Sequence, residues 1–432
     1  MPSDHPLRLA LAAEAHARPP EPVRAPACAR YIAVLVAAED RAREIEHLGA
    51  LCAAHGVAGP AAGATHHRAA LGALRLKWER HGEFSGYTWI APRAGAALFA
   101  AHAAAQLPAS WLAAIPGHTV AAVDVELVAA GDPALAGSAA AAAAAPAEPF
   151  EGQLIGGDIA EGAAGVATDF RLHAGCTRFL LVDRHLTERQ AGRMLQRLFE
   201  IEAYRILALL ALPLARELAP RVLAVESALA RLTAEIARGG AVADDEALLH
   251  ELSRLAAEVE SGLAASQYRF GACEAYCGLV MRRIAELRET RVPSQPTIEE
   301  FMTRRFTPAV ATCRSVQQRL AGLSERVARA SALLATRVGI ARERQSQELL
   351  RSMDQRARLQ LRLQQTVEGL SIAAIAYYVS SLFGHLVEAA DAAGWFHVDA
   401  AIAVGVALPV IVLAVVLVLR RARRHFEGEA AP

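Results

Sequence analysis

Lysine is nearly missing from this 432-residue chain: of its 45 Lys and Arg residues, only Lys77 is a lysine. A Walker A loop needs a lysine at the end of a glycine-spaced run. Lys77 sits instead in Leu76-Lys77-Trp78, so P-loop nucleotide hydrolysis is excluded. With so much alanine alongside, the arginine excess reads as the codon bias of a GC-rich genome, and single arginines carry little weight. Other signatures are absent too. His250-Glu251 lacks a second histidine at HExxH spacing, and no GxSxG elbow or GxGxxG fingerprint occurs, since Gly156-Gly157 and Gly162…Gly165 have the wrong spacing. Cysteine is scarce: six thiols are scattered without the paired CxxC arrays of a structural zinc site, which points to a reducing compartment for most of the chain. Lys+Arg and Asp+Glu balance at 45 each, against a surface built as a nucleic-acid footprint. The first residues, MPSDHPLRLALAAEAHARPPEP, have no positive region followed by an apolar core and a small-residue cleavage site, so no signal peptide is expected.

Few polar groups are spaced for chemistry. His66, His67 and His81 have no carboxylate or cysteine at ligand spacing and are expected as surface or turn histidines. Cys273 and Cys277 share a helical face at i and i+4, as a thiol pair for metal or oxidation or as two half-buried cysteines. Glu200 and Glu202, two apart, do not share a face. No catalytic residue, metal site or cofactor emerges, and the chain is not expected to be an enzyme.

What is present is apolar length. Residues 400–419 run 20 residues without a charge, about 30 Å of helix, the thickness of a bilayer's hydrocarbon core. Pro409 within it is tolerated in membrane helices. A second apolar run, TVEGLSIAAIAYYVSSLFGHL (366–386), carries Ser371, Tyr377, Tyr378, Ser380, Ser381 and His385. Arg351, Arg356, Arg358 and Arg362 precede it, and Arg420, Arg421, Arg423 and Arg424 follow the run at 400–419. The intervening EAADAAGWFHVD has no Lys or Arg, and its Trp395 and Phe396 fit an interfacial belt. Basic flanks mark the cytoplasmic side, so the two runs predict a hairpin with both termini inside, though one span plus a buried helix stays open. Tyr377, Ser381 and His385 recur every four residues on one face. They are expected either to hydrogen-bond between helices in an oligomer or to line a water-filled pathway.

Upstream, apolar residues at 320, 323, 327, 330, 334, 338 and 341, and again at 349, 353, 363, 367 and 370, keep the three-and-four spacing of a coiled-coil or bundle seam. The RERQSQ interruption (342–347) reads as a solvated turn, a hinge or a register device. Residues 187–212 open with a threonine cap, and residues 217–238 and 246–290 continue as amphipathic helices parted by Gly239-Gly240. Before residue 187, short β-branched or aromatic runs at 29–37, 70–79, 84–91, 120–128 and 177–182 predict strands. Residues 40–52 and 95–105 predict helices, and the alanine-rich 134–149 a loose surface segment.

The motifs HPLR, EAHARPP, FEIEAYRILALLALPLARE and TVEGLSIAAIAYYVSSLFGHL resemble a bacterial family catalogued as domain of unknown function 3422, over essentially the whole chain. The resemblance implies a membrane-anchored protein and supplies no catalytic residues. In architecture alone the chain is also similar to the CorA magnesium-channel family, but Gly384-His385-Leu386 stands where that family has Gly-Met-Asn.

The expected organisation is an α+β or α/β cytoplasmic domain (1–186), a helical bundle (187–307), a long stalk helix (308–365) and two membrane helices (366–388 and 400–419). An extracytoplasmic loop (389–399) joins the last two, and a cytoplasmic tail (420–432) follows. The expected partners are the lipid bilayer, further copies of the chain and a cytoplasmic protein, with no nucleic acid. The expected place is the bacterial inner membrane. Arg358, Arg362, Arg420 and Arg421 flank the spans; Tyr377, Ser381 and His385 are their polar candidates. A structural or regulatory role is the first functional expectation, and a CorA-like cation channel or transporter the alternative.

Overall fold

The computed structural model describes residues 4–8, 19–95, 97–135, 150–239, 242–293, 295–394 and 399–428, with the side chains of residues 242, 243, 420 and 422–428 outside that description. Two units emerge, Met1–Ala332 and Leu333–Pro432, and the long helix Thr307–Ala392 contributes to both.

The first unit is built on a nine-stranded mixed sheet: β1 (Ala27–Leu35), β2 (His66–Leu71), β3 (Leu74–Arg80), β4 (Phe84–Pro92), β5 (His118–Ala129), β6 (Ile155–Ile159), β7 (Ala164–His173), β8 (Cys176–Asp183) and β9 (Thr290–Arg291). Their order is β2-β3-β4-β1-β5-β8-β7-β6-β9. Only β5 and β8 run parallel, joining two antiparallel halves. Alternation sets the faces: on β3 and β4, Leu76, Trp78, Tyr87 and Trp89 turn to one side and join Leu48 and Leu51 of helix α1 (Arg41–Ala54) in a buried cluster. Inside that cluster the carboxylate of Glu44, fully buried, accepts hydrogen bonds from Trp78 Nε1 (3.0 Å), Tyr87 Oη (2.9 Å) and Arg80 (3.3 Å). Three donors offset the cost of desolvating that charge.

Three sequence expectations change here. Residues 70–79 are not one strand. Gly72, with φ of 70°, turns the chain between β2 and β3 in a conformation that costs glycine least. Among the described residues of 95–105 the structure has only the 3-10 turn starting at Ala103. The chain is diverted because Phe99, with φ of 54°, gives its N–H to the buried carboxylate of Glu126 (2.8 Å). Strands β6 and β7 were not expected, because IGGDI has little β propensity. Its glycines are needed there: a Cβ at Gly156 would overlap the carbonyl of Val166, and one at Gly157 the carbonyl of Thr290. Residues 136–149, from the segment expected to be loose, lie outside the described residues.

Helix α2 (Ala109–Ala113) is short. Helix α3 (Glu188–Leu209) begins at the expected place, with Thr187 and Gln190 forming a reciprocal capping box, and it packs on β1, β5 and β8. Helix α4 (Ala211–Arg238) follows directly, and α5 (Val242–Leu287) returns beside α3. After the short α6 (Ile298–Arg305), helix α7 (Thr307–Ala392) buries Leu320, Leu323 and Val327 of the expected seam, with Leu320 and Leu323 beside Leu218 and Val222 of α4 and Val259 of α5. Further along, the same spacing is exposed at Leu349, Met353, Leu363, Val367 and Leu370.

In the second unit, helix α8 (Ala400–Gly428) follows α7. An 18-residue window within Ile298–Ala392 has mean hydropathy 1.6 with 17% of it buried; the corresponding window in Ala400–Leu419 reaches 3.2 with none buried. Both helices are thus long and apolar enough to cross a membrane. Trp395 and Phe396 lie outside the described residues.

Candidate functional site

A cavity of about 260 Å³ with mixed chemistry lies in the first unit, between one face of the sheet and α3. Its floor follows from strand register. Tyr31 of β1 pairs with Thr88 of β4, and Thr88 with Lys77 of β3, so these three side chains form one row on the face opposite the tryptophan cluster. The next row contains Gly86 and Glu79. Gly86 has a reason: a Cβ there would meet the Tyr31 ring and hydroxyl, so the bare backbone lets the tyrosine lie across the floor.

The roof is a helical stripe. Gly192, Leu195, Gln196, Phe199 and Glu200 recur at the three- and four-residue spacing that keeps one face of α3 over the sheet. Phe199 stacks on Tyr31 with ring centroids 5.1 Å apart. Tyr204, one turn on, stacks on Tyr276 of α5 and meets Phe84 edge-on. From α5, Arg283 pairs with Glu200 and with Glu286 (3.0 Å).

The N-terminal segment supplies a third wall. Val23 gives its N–H to the Glu188 carbonyl (2.9 Å), Arg75 donates to the Pro22 carbonyl (2.7 Å) and Arg68 to that of Pro19 (2.6 Å), while Arg68 also pairs with Glu21 (2.9 Å). This strap lies directly on Gly192, where a Cβ would overlap the carbonyl of Glu21.

Several polar atoms at the cavity lack full partnership. Lys77, only 6% exposed, has an ion pair with Glu79 (2.9 Å), while an ammonium carries three donors. No described residue hydrogen-bonds the hydroxyls of Tyr31 or Thr88. Gln196 Nε2 donates to Glu200 (2.7 Å), but its buried Oε1 has no hydrogen-bond partner among the described residues. Burial, followed by the Tyr204, Glu200 and Glu79 charges, pushes the Tyr31 hydroxyl well above the usual tyrosine range, so it is a hydrogen-bond donor at neutral pH.

Of the sequence candidates, Glu200 and His81 line the cavity and the others lie elsewhere. Glu200 and Glu202 do point apart: Glu202 accepts from Thr177 (2.8 Å) and pairs with Arg205 (2.6 Å). His81 stacks on Phe84 and lines the cavity, and His67 sits 3.6 Å from Cys52 Sγ. Cys273 shares a hydrogen bond with Cys313 of α7, and that bond and burial push its thiol up. All six thiols are free; Cys28 and Cys176 are raised to about 11, chiefly by burial, and stay protonated at neutral pH. Among the described residues no three His, Cys, Asp or Glu side chains are grouped to hold a metal ion.

Tyr377, Ser381 and His385 share one exposed face of α7, with His385 3.5 Å from Glu388 and Tyr377 edge-on to Tyr378. Ala376, Ser380 and Val387 are buried on another face, and Gly384 leaves room for Val404 of α8, which a Cβ there would meet at 3.2 Å. Ser380 gives its hydroxyl to the Ala376 carbonyl (2.7 Å) within its own helix. Arg358 pairs with Asp354 (2.7 Å), Arg362 accepts the Thr366 hydroxyl at its carbonyl (2.9 Å), and Arg421 is exposed; the Arg420 side chain lies outside the description.

The cavity was missed in the sequence because its members come from six separate segments. One signal was available: the only lysine stands in a strand one residue from a tryptophan, so its ammonium had to lie on the face opposite the aromatic core.

A family model described as "Protein of unknown function (DUF3422)" matches residues 3–426. The chain belongs to this family. No curated protein and no solved structure matches it.

Proposed function

We propose that this member of the DUF3422 family is a membrane-anchored, oligomeric structural or regulatory protein of the bacterial inner membrane, with both termini and the sheet unit in the cytoplasm. The observation that carries the reading is uncovered apolar surface: Val406, Val410, Leu413 and Val418 are all at least 60% exposed along a 20-residue run without a charge. In water each such side chain would forgo about 1.5–3 kcal/mol of burial; in hydrocarbon the run is at home and its backbone is satisfied by the helix. The small residues Ala376, Ser380 and Gly384 at four-residue spacing support a close-packed hairpin, since small side chains let membrane helices approach. Arg358 and Arg362 before the first span and Arg421 after the second support the cytoplasmic orientation. The exposed apolar spacing from Leu349 to Leu370 supports association with further copies through α7.

Reporter fusions at Asp391 and after Pro432 test the topology. A phosphatase reporter active at Asp391 and silent after Pro432 is expected; a loop reporter active only in the cytoplasm sinks the hairpin.

A second reading, a CorA-like cation channel, rests on the exposed face bearing Tyr377, Ser381 and His385. Around a symmetry axis that face would line a wet pathway. Cation flux into liposomes holding the assembled protein, altered in size by His385→Ala, is the outcome this reading requires. If the face only joins helices, the same change weakens the oligomer by about 1 kcal/mol and no flux exceeds that of empty liposomes.

A further inference from the structure

We propose that the cavity between the β1-β4-β3 face and α3 binds a small zwitterionic amino acid with an aliphatic side chain. The site lies in the Met1–Ala332 unit and stands whether or not the membrane reading holds.

Size sets the first limit. A volume of about 260 Å³ equals about nine waters' share of liquid, room for a ligand of on the order of ten non-hydrogen atoms. Charge sets the second. Lys77 is paired with Glu79, Arg283 with Glu200 and Glu21 with Arg68, so the wall is already compensated. A ligand with net charge would bring an unpaired ion into a half-enclosed site, at a desolvation cost nothing there offsets. A zwitterion or a neutral dipole adds no net charge.

Polarity chooses between those two. The donors without full partners, Lys77 Nζ and the Tyr31 and Thr88 hydroxyls, stand in one row on the floor. On the roof the Glu200 carboxylate lines the cavity beside Gln196, whose Oε1 is buried, and Glu21 Oε1 on the strap is likewise without a hydrogen-bond partner among the described residues. The unpaired donors on the sheet fit a ligand's carboxylate, and the Glu200 and Glu21 carboxylates fit its ammonium, each group gaining charge-assisted hydrogen bonds. Between them Val23, Ile90, Leu195 and Phe199 offer apolar surface to a branched aliphatic side chain.

Two substitutions separate a binding site from a structural one. The Tyr31 and Thr88 hydroxyls have no partner among the described residues, so Tyr31→Phe and Thr88→Val remove no hydrogen bond found there, and each variant is expected to melt at or above the wild-type temperature. Each should weaken ligand binding by roughly ten- to 150-fold, the worth of one hydrogen bond to a charged group.

The test is calorimetric titration of the full-length protein in detergent with L-leucine, L-isoleucine and L-valine. Two arms dissect the leucine result: 4-methylpentanoate, which lacks the ammonium, and 3-methylbutylamine, which lacks the carboxylate. Saturable binding of at least one amino acid, at least tenfold weaker binding of both arms, and loss of affinity in both folded variants are the expected results. No binding of the three amino acids at millimolar concentration to folded protein overturns the proposal. So does either arm binding as tightly as leucine, or binding that neither variant changes.

Discussion

At the scale of single residues, two positions test whether local geometry is read correctly. Gly192 sits under the N-terminal strap with no space for a side chain, because the Glu21 carbonyl occupies it. Gly192→Ala is expected to destabilise the full chain by about 1–3 kcal/mol in chemical denaturation, the usual cost of overpacking, despite alanine's better helix propensity. A gain in stability would mean that the strap does not lie on α3. Glu289 is the second. Burial, helped by the neighbouring Glu299 and Glu300 charges, raises its carboxyl from the ordinary 4.5 to about 7 against the N–H groups of Ile298 and Glu299, which favour the ionised form. A raised folded value means that the proton is held more tightly in the native state. The stability linked to it is therefore fully present below about pH 4.5 and is lost as the pH rises through about 7. Glu289→Gln keeps an acceptor for the Ile298 N–H and removes the titration, so its melting temperature should exceed the wild type's at pH 8 and match it near pH 4.5. Equal differences at both pH values would refute the assignment. Glu44 makes the complementary case: Glu44→Ala strips a shared partner from Trp78, Tyr87 and Arg80 and should cost about 3 kcal/mol or more.

At the scale of elements, legibility followed how local the determinant is. The start of α3 was readable because its signal is complete within four residues: Thr187 caps, and Gln190 reciprocates. Thr187→Ala should cost about 1 kcal/mol, measurable as a lowered denaturation midpoint, and Thr187→Ser should restore most of it. Strands β1, β4, β5 and β8 were readable from their β-branched and aromatic content. Strands β6 and β7 were not, since Gly156 and Gly157 are required by backbone approaches from Val166 and Thr290, one of which lies more than a hundred residues away. Residues 95–105 look helical by composition and are diverted by one buried carboxylate, Glu126, on a strand that follows them. The cavity was the least legible feature, because the row Tyr31, Thr88 and Lys77 exists only once strand order places β4 between β1 and β3. The β3-β4 neighbourhood follows from the short turn between Arg80 and Phe84, whereas the pairing of β4 with β1 has no local signal.

At the scale of the whole molecule, the apolar spacing of α7 has two fates. Leu320, Leu323 and Val327 are buried within the chain, whereas Leu349, Met353, Leu363, Val367 and Leu370 are exposed. If the exposed part joins copies, replacing Met353 and Leu363 together by Glu should lower the mass of the detergent-solubilised particle to that of a single chain while the melting of the sheet unit stays unchanged. An unchanged mass would place any self-association elsewhere.

The ninth strand has a bearing on biogenesis. Thr290 and Arg291 pair with Asp158 and Gly157, so the edge of the sheet is completed by residues made well after its other strands. Thr366, where the first proposed span begins, is translated about 75 residues later, and at about 5–20 residues per second the ribosome needs several seconds to reach it. The sheet unit therefore has time to close its last edge before the apolar helices emerge. A nascent chain halted shortly after Arg291 has cleared the exit tunnel should already resist protease, and one halted before Thr290 should not.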